Sequence, residues 1–169
     1  MKILVIHATR YGSTRRSAEL IAETLRGTPG VSADVAAASG TGRKKLALYE
    51  GFVLGSSIAM GRWKGSGRRM LPKLAATGRP TALFVTAAGF LTGKNPGDPD
   101  DVPVTASPAE IEAAAIAKYV QPVVPPTGLK PVAVRAFGGR MVMFGKELVS
   151  NWDGDAIAAW ARGLPDRLR

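Results

Sequence analysis

The segment Lys2-Ile3-Leu4-Val5-Ile6-His7-Ala8-Thr9-Arg10-Tyr11-Gly12-Ser13-Thr14 decides the fold. Its first half is a continuous apolar run rich in β-branched residues, the pattern of a strand buried on both faces. Its second half places three hydroxyls and a glycine directly before Ala18, Ile21, Ala22 and Leu25, which repeat at helical spacing. Gly27 and Pro29 then stop the helix. A loop between a buried strand and a helix N-terminus gathers free N–H groups at the positive end of the helix dipole, so it favours an anion. Thr9, Ser13 and Thr14 could add hydroxyl donors to phosphate oxygens. A Walker A loop would carry Gly-Lys-Ser/Thr and a dinucleotide loop three spaced glycines, and neither is present. Plain capping of the helix by a Ser or Thr is the alternative use of the same residues.

Outward from this segment the chain alternates strand and helix. Ser32 to Ala37 reads as a short edge strand, and Gly51 to Gly55 as a buried one ending in a Gly/Ser loop. A basic helix is expected over Ser66 to Ala76, with Met70, Leu71 and Leu74 inward. Pro80 to Thr86 is a third buried strand, followed by an irregular stretch from Ala87 to Ser107. Ser107, Pro108 and Glu110 form a strong helix start, with hydroxyl cap, early proline and an acid three residues on. That helix is expected to end near Tyr119. After a Pro-rich connector, Pro131 to Phe137 reads as the last strand, and Asp153 to Arg162 as a closing helix with Ile157, Trp160 and Ala161 inward. The alternation implies one α/β domain over residues 1–169, a parallel sheet with helices on both faces. Right-handed crossovers gather the loops at the carboxyl ends of the strands, and ligands bind there where the strand order reverses.

Composition narrows the chemistry. The 169 residues contain no Cys, which excludes disulfides, thiolate catalysis and cysteine-held metal clusters. His7, the single histidine, ends a buried strand and reads as structural, and no catalytic side chain or metal-ligand set stands out. No apolar run reaches the length of a membrane span, so a cytoplasmic location is expected, with any membrane contact peripheral at the inner face. The net charge is +10, and Arg62, Lys64, Arg68, Arg69 and Lys73 cluster around the second Gly/Ser loop and its helix. A basic rim there would suit anionic lipid, an acidic partner or a carboxylate-bearing substrate. A solvated helix face is the plainer reading. Nucleic acid is not expected, because no aromatic–basic motif accompanies the charge.

Three loops together carry a family resemblance. Thr9-Arg10-Tyr11-Gly12-Ser13-Thr14 resembles the phosphate loop of the flavodoxins. Gly55-Ser56-Ser57-Ile58-Ala59-Met60-Gly61-Arg62-Trp63 and Thr86-Ala87-Ala88-Gly89-Phe90 occupy the places of that family's two loops beside the flavin ring. The resemblance implies a flavodoxin-like three-layer sandwich around a five-stranded parallel sheet of order 2-1-3-4-5. It implies FMN as cofactor and flavin-mediated electron transfer to or from a small-molecule substrate or a quinone. Met60, Trp63 and Phe90 would be ring partners, and Ser57, Ala59, Ala88 and Gly89 would offer backbone groups. Within the superfamily, Gly55 to Gly61 and the Trp152-led final helix are similar to the menaquinone-dependent protoporphyrinogen dehydrogenases. That narrower likeness implies oxidation of protoporphyrinogen. A flavodoxin-like binding module without cofactor is the non-enzymatic alternative.

Overall fold

The computed structural model describes residues 1–88 and 107–169. Strand β1 (Lys2–Ala8) leads into helix α1 (Ser13–Arg26), then strand β2 (Ser32–Ala37) and a single helical turn, α2 (Arg43–Leu46). Strand β3 (Gly51–Ala59) turns back as the two-residue β4 (Arg62–Trp63), followed by α3 (Gly65–Ala75) and β5 (Thr81–Thr86). Helix α4 (Pro108–Tyr119) precedes β6 (Ala133–Phe137), the hairpin β7 (Arg140–Met143) and β8 (Lys146–Ser150), and the closing helices α5 (Gly154–Arg162) and α6 (Leu164–Arg167).

The five long strands are parallel and lie in the order β2-β1-β3-β5-β6, with β4 attached antiparallel to β3. Counted among themselves, the parallel strands follow the expected 2-1-3-4-5, so β1 and β3 flank the point where the winding reverses. Because successive side chains of a strand point to opposite faces, β1 feeds two cores at once. Leu4 and Ile6 pack with Met70, Leu71 and Leu74 of α3 and Ala115 and Tyr119 of α4. Ile3 and Val5 pack with Ile21, Ala22 and Leu25 of α1 and Ile157 and Ala161 of α5. Two helix layers on one sheet make the three-layer sandwich. Trp160 of α5 sets its ring edge-on against Phe137, centroids 5.6 Å apart, and against Phe84, 6.2 Å apart.

Two expectations change. The strand at Gly51 does not stop at Gly55: it continues through Ser56, Ser57, Ile58 and Ala59 and folds back through a two-residue turn at Met60-Gly61. Pro131 to Phe137 is not the last strand, because β7 and β8 follow it as a separate antiparallel hairpin turning at Phe144-Gly145. Strand β8 is largely exposed, and Met141 and Val142 of β7 are only half-buried, so the hairpin lacks the buried apolar run that marks the others. Helix α4 begins as expected: Ser107 and Glu110 exchange the reciprocal hydrogen bonds of a capping box.

Candidate functional site

Helix α1 starts in an unusual way. Its N-cap is Gly12, held in the left-handed region at φ 91°, and no side chain caps the helix. A side chain at that φ would be strained, which is why glycine stands there. The alternative of Ser or Thr capping is thus not realised. The Gly12 N–H donates instead to Thr9 Oγ1 (3.0 Å), which curls the loop back on itself. The Ser17 hydroxyl donates to the Ser13 carbonyl at 3.0 Å. No acidic residue lies in the first turn. Among the described residues, the positive end of α1 is therefore left open, without a side-chain cap or an acid in its first turn.

Thr14 has a different place from the one expected. It is fully buried, and its hydroxyl shares a 2.8 Å hydrogen bond with that of Thr86 at the end of β5. This pair ties the first loop to the third. Ser13 lies just above it, and a Cβ on Gly139 would come within 3.1 Å of the Ser13 hydroxyl and 3.4 Å of Thr86. The backbone after β6 thus closes over the same point.

On the other side, Arg10 and the β3–β4 hairpin enclose a cavity of about 540 Å³ lined by Arg10, Ser57, Ala59, Met60, Arg62, Trp63, Lys64 and Gly65. That volume lies within the range of small-ligand sites. Among the described residues, three cations line it and no acid does. The Ser57 hydroxyl is buried and has no hydrogen-bond partner among the described residues. Leaving it so costs about 1–3 kcal/mol, which a ligand acceptor or donor in the cavity would recover. Its neighbour Ser56 is engaged: its hydroxyl donates to the Ser57 carbonyl and accepts from the Lys64 N–H, each at 3.2 Å.

The expected ring partners separate. Trp63 also lines the cavity, but it is buried in the α3/α4 core, and its indole N–H donates to the Tyr119 carbonyl at 2.6 Å. Met60 is 92% exposed at the hairpin tip. Tyr11, part-exposed beside Gly12, is the other aromatic of the first loop. Ala87 donates its N–H to the Phe137 carbonyl at 3.0 Å, and Ala88 is buried next to it. Gly89 and Phe90 lie outside the described residues. Arg68, Arg69 and Lys73 are exposed along α3 and do not line the cavity, although the Arg69 guanidinium lies beside Gly65 at its rim.

Asn151 is a positioning residue that sequence reasoning missed. Its side-chain amide donates to the Ala88 carbonyl (3.1 Å), its side-chain oxygen accepts from the Gly139 N–H (2.9 Å), and its own N–H donates to the Gly139 carbonyl (3.1 Å). A Cβ on Gly138 would strike the Asn151 carbonyl, so this approach needs glycine. The Gly138-Gly139 pair directly after a strand was the available signal. Trp152 also serves the first loop: its indole N–H donates to Ser17 at 3.0 Å and the Arg16 guanidinium stacks 3.6 Å from its ring centroid. His7 is held below its ordinary pKa by burial and, secondarily, by Arg15, so it is neutral near pH 7, in keeping with a structural part. Among the described residues no cluster of three His, Cys, Asp or Glu could hold a metal, and no helix is long and apolar enough to cross a membrane.

A profile of the flavodoxin domain matches residues 4–143, most of the chain. The chain belongs to the flavodoxin domain family. Solved flavodoxins share its fold along their whole length. Flavodoxin 1 from Bacillus cereus is 14% identical with a TM-score of 0.58, covering 100% of both chains. A flavodoxin from the domain Archaea is 15% identical with a TM-score of 0.58, covering 99% of each. A flavo di-iron protein from Thermotoga maritima matches 99% of this chain but 36% of its own, at 12% identity and a TM-score of 0.59. At these identities the likeness establishes the fold. No curated protein matches the sequence.

The residues present fit an FMN phosphate and ring. An open helix start with neutral donors suits a phosphate, and the orphaned Ser57 hydroxyl and the small Ala59, Ala87 and Ala88 suit a flat ring approached by backbone.

Proposed function

We infer that this flavodoxin-domain protein binds FMN and passes electrons between a reduced small-molecule substrate and an acceptor of the quinone class. The start of α1, with no side-chain cap and no acid in its first turn among the described residues, carries the reading, because such a helix end is completed by a bound anion. The flavin, when bound, accepts and releases electrons singly or in pairs. The chain's own residues do the rest. Loop 9–14 would hold the phosphate through backbone N–H groups and Ser13, while the Thr14–Thr86 pair fixes that loop against β5. Ser57 would meet the ring edge, and Arg10, Arg62 and Lys64 would favour negative charge in the cavity.

The same cations suit a substrate bearing carboxylates, of which protoporphyrinogen is the case raised by the sequence. The visible spectrum of the purified protein, before and after added FMN, is the first test. A colourless chain that refuses FMN would leave a binding module without cofactor. For a chain that binds it, oxidation of protoporphyrinogen with a menaquinone analogue decides the narrower reading.

A further inference from the structure

Two hairpins leave the carboxyl edge of the sheet, and their tips are built alike. Met60 and Gly61 have φ of 51° and 69°, and Phe144 and Gly145 have φ of 50° and 74°. Positive φ at both central residues is the type I′ turn, where Asn or Asp normally precedes Gly. Bulky side chains avoid that conformation. Here the strained position carries Met in one hairpin and Phe in the other, 92% and 97% exposed. Both side chains stand out from the fold, Met60 at the rim of the cavity, so contacts among the described residues do not repay their strain or exposure. Such an outlier is a mark of function. Of the other large apolar residues exposed among the described ones, Tyr11 and Leu148 share this edge, while Leu48 and Val132 precede β3 and β6 at the opposite one.

Charge selects the occupant. Arg62 and Lys64 follow the first tip and Lys146 the second, and the hairpin acid Glu147 is already paired with Arg140. A second copy of this chain would bring like charge to like charge, with +10 on each. The tips are single side chains whose hairpins root on β3 and just beyond β6, separated in the sheet by β5. Two strand spacings place those roots about 10 Å apart. Isolated apolar tips set among cations fit a fluid anionic layer, which accepts a side chain at any point, better than a pocketed protein surface.

We propose that the carboxyl edge docks on an anionic lipid surface, with Met60 and Phe144 entering the headgroup layer and Arg62, Lys64 and Lys146 meeting lipid phosphates. This rests on the redox reading for its purpose, since it would bring the flavin edge to a lipid-dissolved quinone. The docking itself is measurable without turnover. The full chain should sediment with vesicles of mixed phosphatidylcholine and phosphatidylglycerol, not with phosphatidylcholine alone, and about 0.5 M salt should release it. Phe144→Asn puts the residue type this turn favours in place of the apolar tip, so the fold is retained. Its affinity for the anionic vesicles should fall at least about tenfold, with melting temperature and FMN titration unchanged. Met60→Asn should weaken docking further when combined with it. Failure of the parent chain to sediment with anionic vesicles overturns the proposal, as does equal sedimentation with neutral ones. Undiminished binding by Phe144→Asn overturns it too, and capture on immobilised polyglutamate without vesicle binding overturns it in favour of an acidic protein. A chain that titrates with FMN yet ignores vesicles loses the docking alone, and one that binds vesicles but no FMN loses the redox reading alone.

Discussion

Helix α4 opens with Ser107-Pro108-Ala109-Glu110 and helix α1 with Gly12-Ser13-Thr14-Arg15, two hydroxyl-bearing starts in one chain. At α4 the hydroxyl and the carboxylate close the helix end completely. At α1 the hydroxyls point to other work and the end stays open. The difference lies in one backbone angle: Ser107 is extended at φ −66°, so its side chain can reach Glu110, whereas Gly12 at φ 91° has no side chain to offer. A closed start contributes stability by itself, and an open one holds its stabilisation in reserve for an anion.

The hardest test is to close α1 as α4 is closed. Gly12→Asp adds a carboxylate at the cap, where nothing lies within 4 Å of a new Cβ. The backbone strain is about 1 kcal/mol. Repulsion between that charge and a phosphate about 4 Å away is about 4 kcal/mol at an effective dielectric of about 20. FMN affinity, followed by flavin fluorescence, should therefore fall about a thousandfold, while neutral Gly12→Asn should keep most of it. The converse opens α4: Ser107→Ala should cost about 1 kcal/mol and lower the melting temperature by about 2–4 °C, with FMN affinity untouched. Loss of flavin binding there would erase the distinction between the two starts.

A smaller effect should have opposite signs with and without ligand. Ser57→Ala removes the orphaned hydroxyl, so the free protein should melt no lower than the parent, and higher if anything. The same change should weaken FMN binding about fivefold. The smallest effects are in pH. Burial, then Arg15, lowers the His7 pKa below 6.5, with Glu19 opposing. The unfolded chain then takes up a proton first, so this contribution is complete above 6.5 and is lost as pH falls towards the folded value. The Glu110 pKa is lowered from 4.5 by the Ser107 backbone N–H and then by its hydroxyl. Its contribution is present above 4.5 and is lost as pH falls through the folded pKa. Melting curves against pH should show both windows, the upper removed by His7→Gln and the lower by Glu110→Gln.

Legibility followed burial. β1, β5 and the first half of β3 were readable because burial on both faces demands unbroken apolar runs, and the α4 start because a capping box is a local pattern. The open start of α1 was half legible: the anion site follows from residue types, but Gly12 as cap depends on a φ that the letters do not carry. The hairpins were hidden because their turns, Met60-Gly61 and Phe144-Gly145, lack the Asn or Asp that announces such turns. Trp63 was expected as a ring partner, and the bond that ties it into the core reaches Tyr119, 56 residues away in sequence. Asn151 was missed for the same reason, since its partner Ala88 lies 63 residues away.

Asn151 and Gly139 also make a gate. The chain enters and leaves the β7–β8 hairpin through the same two-way pair of hydrogen bonds, so residues 140–150 hang from one point of the sheet edge. Whatever is carried between those two residues can lengthen, shorten or change its surface without shifting a strand. The hairpin is thus an appendage of eleven residues, 140–150, joined to the sheet at one point rather than woven into it.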